Sequence, residues 1–134
     1  MHRMNRRHLL LTAAGLGLQG PAAAQTGSPK MKTFLYMLRL VPRLHAEAAW
    51  TEADRRAVGV HFQHLKAATD AGTVVLAGRT DEALATTFGL VVFEAADAAA
   101  AEEFMKADPA VVAGVMTAEL HPFSLALLRQ QQGR

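Results

Sequence analysis

The chain predicts an α+β domain, and three observations carry that prediction. Residues 33–40 alternate strictly between two faces, residues 52–71 repeat apolar side chains at helical spacing, and a second strand-then-helix pattern follows over residues 87–106. Each element is justified by its own chemistry. In the first strand Phe34, Tyr36, Leu38 and Leu40 share one face, while Leu35, Met37 and Arg39 share the other, which is also largely apolar. Pro42 cannot donate to a ladder and stops the strand, so residues 43–49 read as a loop or short turn.

Thr51 followed by Asp54 forms a capping box with the shorter acid, and Glu52 and Asp54 suit the positive end of a helix dipole. Val58, Phe62 and Leu65 then mark the buried stripe of a helix over about residues 52–71, with Gly72 as its stop. Residues 73–77 are β-branched and apolar, a second strand, and residues 78–85 read as a polar loop. A third strand at residues 87–94 alternates Phe88, Leu90 and Val92 with Gly89, Val91 and Phe93, again apolar on both faces. Asp97 caps an Ala-rich helix reaching about Lys106. Asp108-Pro109 starts a short helical turn that Gly114 ends, and residues 115–120 begin a last strand interrupted by Pro122.

The order β-α-β-β-α-β is the ferredoxin-like arrangement, a four-stranded antiparallel sheet with two main helices. Two helices cover only one face of such a sheet. The apolar second faces of strands one and three are therefore expected to pack on a second copy, with Leu35/Met37 and Val91/Phe93 toward the partner, giving a homodimeric α/β barrel.

Residues 1–24 read as an export signal rather than as part of this fold. Arg3, Arg6 and Arg7 form a basic start, a short apolar run follows, and Ala22-Ala23-Ala24 fits a small-residue cleavage site. The run is too short to span a bilayer. Asn5-Arg6-Arg7-His8-Leu9-Leu10 looks like a twin-arginine signal, an ordinary Sec signal being the alternative. The expected location is periplasmic or otherwise exported, with no membrane attachment after cleavage. Residues 25–32 read as a linker, residues 33–128 as the domain and residues 129–134 as a polar tail.

Removing residues 1–24 takes three arginines and no acid from 14 basic and 12 acidic side chains, which leaves 11 against 12, a formal charge of −1. The basicity of the full chain belongs to its leader, so nothing in the domain points to nucleic acid. The absence of cysteine rules out a lipoprotein anchor and a disulfide that would otherwise help a small exported domain.

The candidate chemistry centres on His61, at the edge of the buried stripe of the first helix, where an isolated His is more often a boundary residue satisfied by backbone. His64 lies one turn on. A zinc site from His61 and His64 with His45, His121 or Asp108 lacks the dense ligand cluster such a site needs, so neither metal nor cofactor is expected. Asp108 has an ordinary role as the N-cap before Pro109, and Arg79 either pairs with Asp81 or Glu82 or offers its guanidinium to a carboxylate or phenolate. Trp50 and Tyr36, the single Trp and Tyr, default to the core, and either can wall a pocket.

The ordered set Val60-His61-Phe62-Gln63-His64-Leu65-Lys66, Gly72, Leu76-Ala77-Gly78, Asp108-Pro109 and Gly114 resembles the YCII-related (YciI-like) family over roughly residues 32–128. What the resemblance implies is a His-Asp pair in a small cleft, here His61 and Asp108 as catalytic residues, with His64 and Arg79 as candidates for holding substrate. Arg79 departs from a Pro found in many members. A carboxylate beside an imidazole orients the ring and fixes its tautomer, which suits proton transfer near neutral pH. Three functions stay open: a small acid–base enzyme of lyase, isomerase or hydrolase type acting on a small cyclic or aromatic molecule, as related families include a dehydrochlorinase of a chlorinated hydroxyquinol; a periplasmic small-molecule binding module; and a dimerising structural domain with a vestigial cleft.

Overall fold

The structure is a computed structural model and describes residues 30–131 together with Gly15, Gly17 and Gly20. Apart from those three glycines the expected export signal lies outside the described residues, as do most of the linker and the last three residues of the tail. The element order is β1 (Lys32–Leu40), two short 3-10 turns (Pro42–His45 and Glu47–Ala49), α1 (Glu52–Asp70), β2 (Val74–Arg79), β3 (Gly89–Ala95), α2 (Ala98–Lys106), α3 (Pro109–Val112) and β4 (Met116–Pro122). All pairings are antiparallel in the order β2-β3-β1-β4, as a ferredoxin-like sheet requires. β2 continues through Gly78 and Arg79, which sequence reading assigns to the following loop, because both still pair with β3.

Local chemistry sets the helix ends. Thr51 and Asp54 close the capping box in both directions, which satisfies donors that the first turn leaves free. At the other end of α1 the N–H of Gly72 donates to Thr69 O and that of Thr73 to Ala68 O. This double closure needs a left-handed residue, supplied by Gly72 at φ 85°. Gly114, φ 71°, closes α3 in the same way. A four-residue helix is thus held at one end by Asp108 and at the other by Gly114.

One face of the sheet carries the core. Phe34, Tyr36 and Leu38 of β1, Val91, Phe93 and Ala95 of β3 and Val74 of β2 pack under Leu65 of α1 and Ala101 and Met105 of α2. Phe93 stacks on Phe104 at 4.7 Å between ring centroids and meets the Tyr36 ring edge-on at 5.5 Å. Such pairs add about 0.5–1.5 kcal/mol each beyond the area they bury.

Register decides which side chains share that face. Phe34 lies opposite Phe93 and Tyr36 opposite Val91, so Val91 and Phe93 point toward the helices and are 1% and 0% exposed. The expectation that this pair faces a second copy is therefore corrected. Leu35 lies opposite Val92 and Met37 opposite Leu90, and these four residues form the apolar part of the other face. Phe62 is a second correction: it stands 63% exposed instead of lying in the core stripe, because that side of α1 borders a cleft and not the sheet.

Candidate functional site

α1 and the β2 edge of the sheet do not close against each other. Between them lies a cavity of about 970 Å³, at the upper end of the range for small-molecule sites. Leu38, Trp50, Val58, Leu65, Leu76 and Phe88 give it apolar walls. Its polar border includes His61, Arg55 and Arg79.

His61 reaches this cavity from the middle of α1, with its side chain 13% exposed. Behind it stands Asp108, fully buried at the N-cap of α3. Packing of α1 on α3 brings the two together across 47 residues, with His61 Nδ1 at 2.6 Å from Asp108 Oδ1. The same oxygen accepts the N–H of Ala110 at 2.9 Å, and the Tyr36 hydroxyl donates to Oδ2 at 2.7 Å. Helix cap and imidazole partner are thus one carboxylate.

The electrostatics follow from this packing. Burial pushes the Asp108 carboxyl up, but the hydrogen bonds from His61 and Tyr36, the charge of His61 and the Ala110 N–H outweigh it and hold the group below its ordinary range. Tyr36 is pushed far up, first by burial and then by the adjacent charge of Asp108 and the hydrogen bond to it, so its hydroxyl remains a donor. An ionised carboxylate only accepts. The ring nitrogen facing Asp108 is therefore the protonated one, and in the neutral ring Nε2 carries the lone pair. Tyr36, Asp108 and His61 form a buried chain whose one member lining the cavity is the imidazole.

The other residues singled out by sequence lie as follows. Arg79 ends β2, is exposed and lines the cavity, with neither Asp81 nor Glu82 in ion-pair contact among the described residues. His64 is not brought to the cavity. Its ring packs against Phe104 of α2 at 5.7 Å, with Nε2 buried and unpartnered among the described residues. At i+3 it shares the general side of α1 with His61 but lies over α2, whereas His61 lies between α3 and the cavity. His45 Nε2 contacts Leu40 O and His121 pairs with Glu119, and no group of three His, Asp or Glu gathers at metal-binding distance among the described residues.

Arg55 is the member that sequence reasoning passed over, and Tyr36, expected in the core and found there, was not connected to Asp108. The signal for Tyr36 was present, because a phenol on the buried face of a strand needs a partner for its hydroxyl. Trp50 does wall the cavity, its indole N–H donating to Leu44 O at 2.9 Å, and the Arg55 guanidinium lies 5.7 Å from its ring centroid.

Comparison with curated proteins returned no match. The sequence model of the YCII-related domain matches residues 34–124, a span that contains all of the sheet but the first two residues of β1, together with the cavity and the Tyr36–Asp108–His61 chain. This chain belongs to the YCII-related, YciI-like family.

Proposed function

We propose that this protein is a small acid–base enzyme in which His61 Nε2 takes a proton from a small, largely apolar molecule held in the cavity. The carrying observation is that the buried Tyr36–Asp108–His61 chain ends, through its imidazole, at a largely apolar cavity. When Nε2 accepts a C–H proton, the imidazolium pairs with the Asp108 carboxylate already in contact. The electron pair left on carbon either expels a leaving group, an elimination, or takes the proton back at another carbon, an isomerisation. Tyr36 holds the second oxygen of Asp108, so the carboxylate keeps its orientation while the ring changes charge.

Deuterium wash-in tests this directly. Small cyclic and aromatic compounds with acidic C–H bonds are incubated with the protein in D2O and followed by proton NMR. The expected result is exchange that falls by about 10²–10⁴-fold in His61→Gln. Saturable binding without exchange for every compound that binds would replace this reading by that of a periplasmic binding module. Absence of both would leave a structural domain. The leader of residues 1–24 supports work outside the cytoplasm, to be checked by the N-terminus of the exported protein.

A second copy on the open face of the sheet is the favoured assembly. Leu35, Met37 and Leu90, all partly exposed, make that face apolar beside the buried Val92, and Arg39 and Glu119 border it. Light scattering should give a dimer that Met37→Glu or Leu90→Glu weakens. A monomeric wild type at micromolar concentration would refute it.

A further inference from the structure

We infer that the end of the cavity bounded by Arg55 and Arg79 is an anion subsite, so that the ligand is a monoanionic apolar molecule, such as an aryl or alicyclic carboxylate, with its acid group about one ring's length from His61. The placement follows from topology. β1 and β2 both run antiparallel to β3 and hence parallel to each other, and α1 leaves the end of β1 and returns to the start of β2. The first turns of α1 and the last residue of β2 therefore lie at the same end, and these carry Arg55 and Arg79. Both border the cavity.

Charge accounting favours a single negative group. Of the five Asp, Glu, Lys and Arg side chains around the cavity, Lys66 and Asp70 neutralise each other across 2.7 Å. That leaves two guanidinium groups against Glu47. Neither guanidinium has a carboxylate partner among the described residues, and Arg55 instead lies over the Trp50 ring. A planar fork held against an apolar wall suits a carboxylate attached to an apolar body. His61 is six positions along α1 from Arg55, roughly 9 Å along the helix axis. With the acid at the arginines, a six-membered ring or a short chain spans the distance to Nε2.

This inference takes the reacting position from the proposed role of His61, but the subsite itself is tested by binding alone. Trp50 is the single tryptophan of the chain, and its fluorescence reports on the cavity wall. Benzoate and cyclohexanecarboxylate are titrated against benzamide and benzylamine. The carboxylates should bind about tenfold more tightly than benzamide, as expected for a hydrogen bond to a charged partner. Arg55→Gln and Arg79→Gln should each reduce the preference and the double variant should abolish it, with benzamide affinity unchanged.

Equal affinity for benzoate and benzamide, a preference that survives the double substitution, or no saturable binding by any probe would overturn the subsite. The same titration in His61→Gln separates the two readings. An anion preference kept there, with no deuterium exchange even in the wild type, supports the subsite and removes the acid–base role. Exchange on neutral compounds without anion preference does the reverse.

Discussion

Asp54 and Asp108 occupy comparable places, each a carboxylate at a helix N-terminus, yet they are wired differently. Asp54 accepts both guanidinium nitrogens of Arg43, at 2.9 and 2.8 Å, and the N–H and hydroxyl of Thr51, both at 2.8 Å. Arg43 is half exposed, and its guanidinium does not release a proton near neutral pH. Asp108 is sealed from water, and its side-chain partners are a tyrosine hydroxyl and an imidazole that exchanges protons readily. Both carboxyls are held below their ordinary range. A depressed carboxylate alone therefore does not mark a site; what marks Asp108 is a partner able to gain or lose a proton beside a cavity.

Truncation separates the two regions most strongly. Asp108→Ala should cost about 3–5 kcal/mol, because it strands the Tyr36 hydroxyl and the Ala110 N–H in the core and leaves His61 without its counterpart. Asp54→Ala should cost less, since water replaces Asp54 at Arg43. Urea melts of the two variants make the comparison, and equal losses would break it.

Next in size is Tyr36→Phe, expected to destabilise by about 1.5–3 kcal/mol by removing a hydrogen bond to a buried charge. If Tyr36 positions Asp108, the variant also shifts the ring ¹⁵N resonances of His61, which a purely structural loss elsewhere in the core would leave in place. Asp108→Asn should move those resonances further while keeping the cap, because Asn caps nearly as well as Asp.

A pH series sharpens the contrast. Because the folded value of Asp108 lies below that of the unfolded chain, its stabilisation is complete above about pH 4 and is lost as pH falls from there through the folded value. Asp54 has the same sign, held down first by the Arg43 hydrogen bond. The acid-side loss should shrink in Asp108→Asn and, separately, in Arg43→Gln. Only the exposed Arg43–Asp54 share should diminish in high salt. The smallest effect is that of Thr51→Ala, about 1 kcal/mol for the lost cap, with no change at His61.

Much of the fold was legible because its signals are local. The alternation that puts Phe34, Tyr36 and Leu38 on one face, the Thr51/Asp54 box, the Asp97 and Asp108 caps and the two stop glycines each depend on a few neighbouring residues, and the structure contains all of them. The candidate site was legible by name but not by arrangement. Phe62 fits the helical stripe, yet it is exposed because the helix meets a cleft there. His64 has the spacing of a site residue, but a small rotation about the α1 axis sends it to Phe104. The choice between Val91/Phe93 and Leu90/Val92 as the outward pair turns on pairing with β1, and a shift of one residue would exchange them.

By itself, then, the sequence determined which strands and helices form, their order and which faces are apolar, since propensity, capping and period act over one or two turns of chain, while strand ends such as that of β2 were set by pairing. Tertiary structure decided which apolar face meets the helices, that Asp108 stands between Tyr36 and His61, and that Arg55 and Arg79 border the same cavity. Those contacts join residues tens of positions apart, and only the packing of α1 and α3 beside the sheet sets their distances.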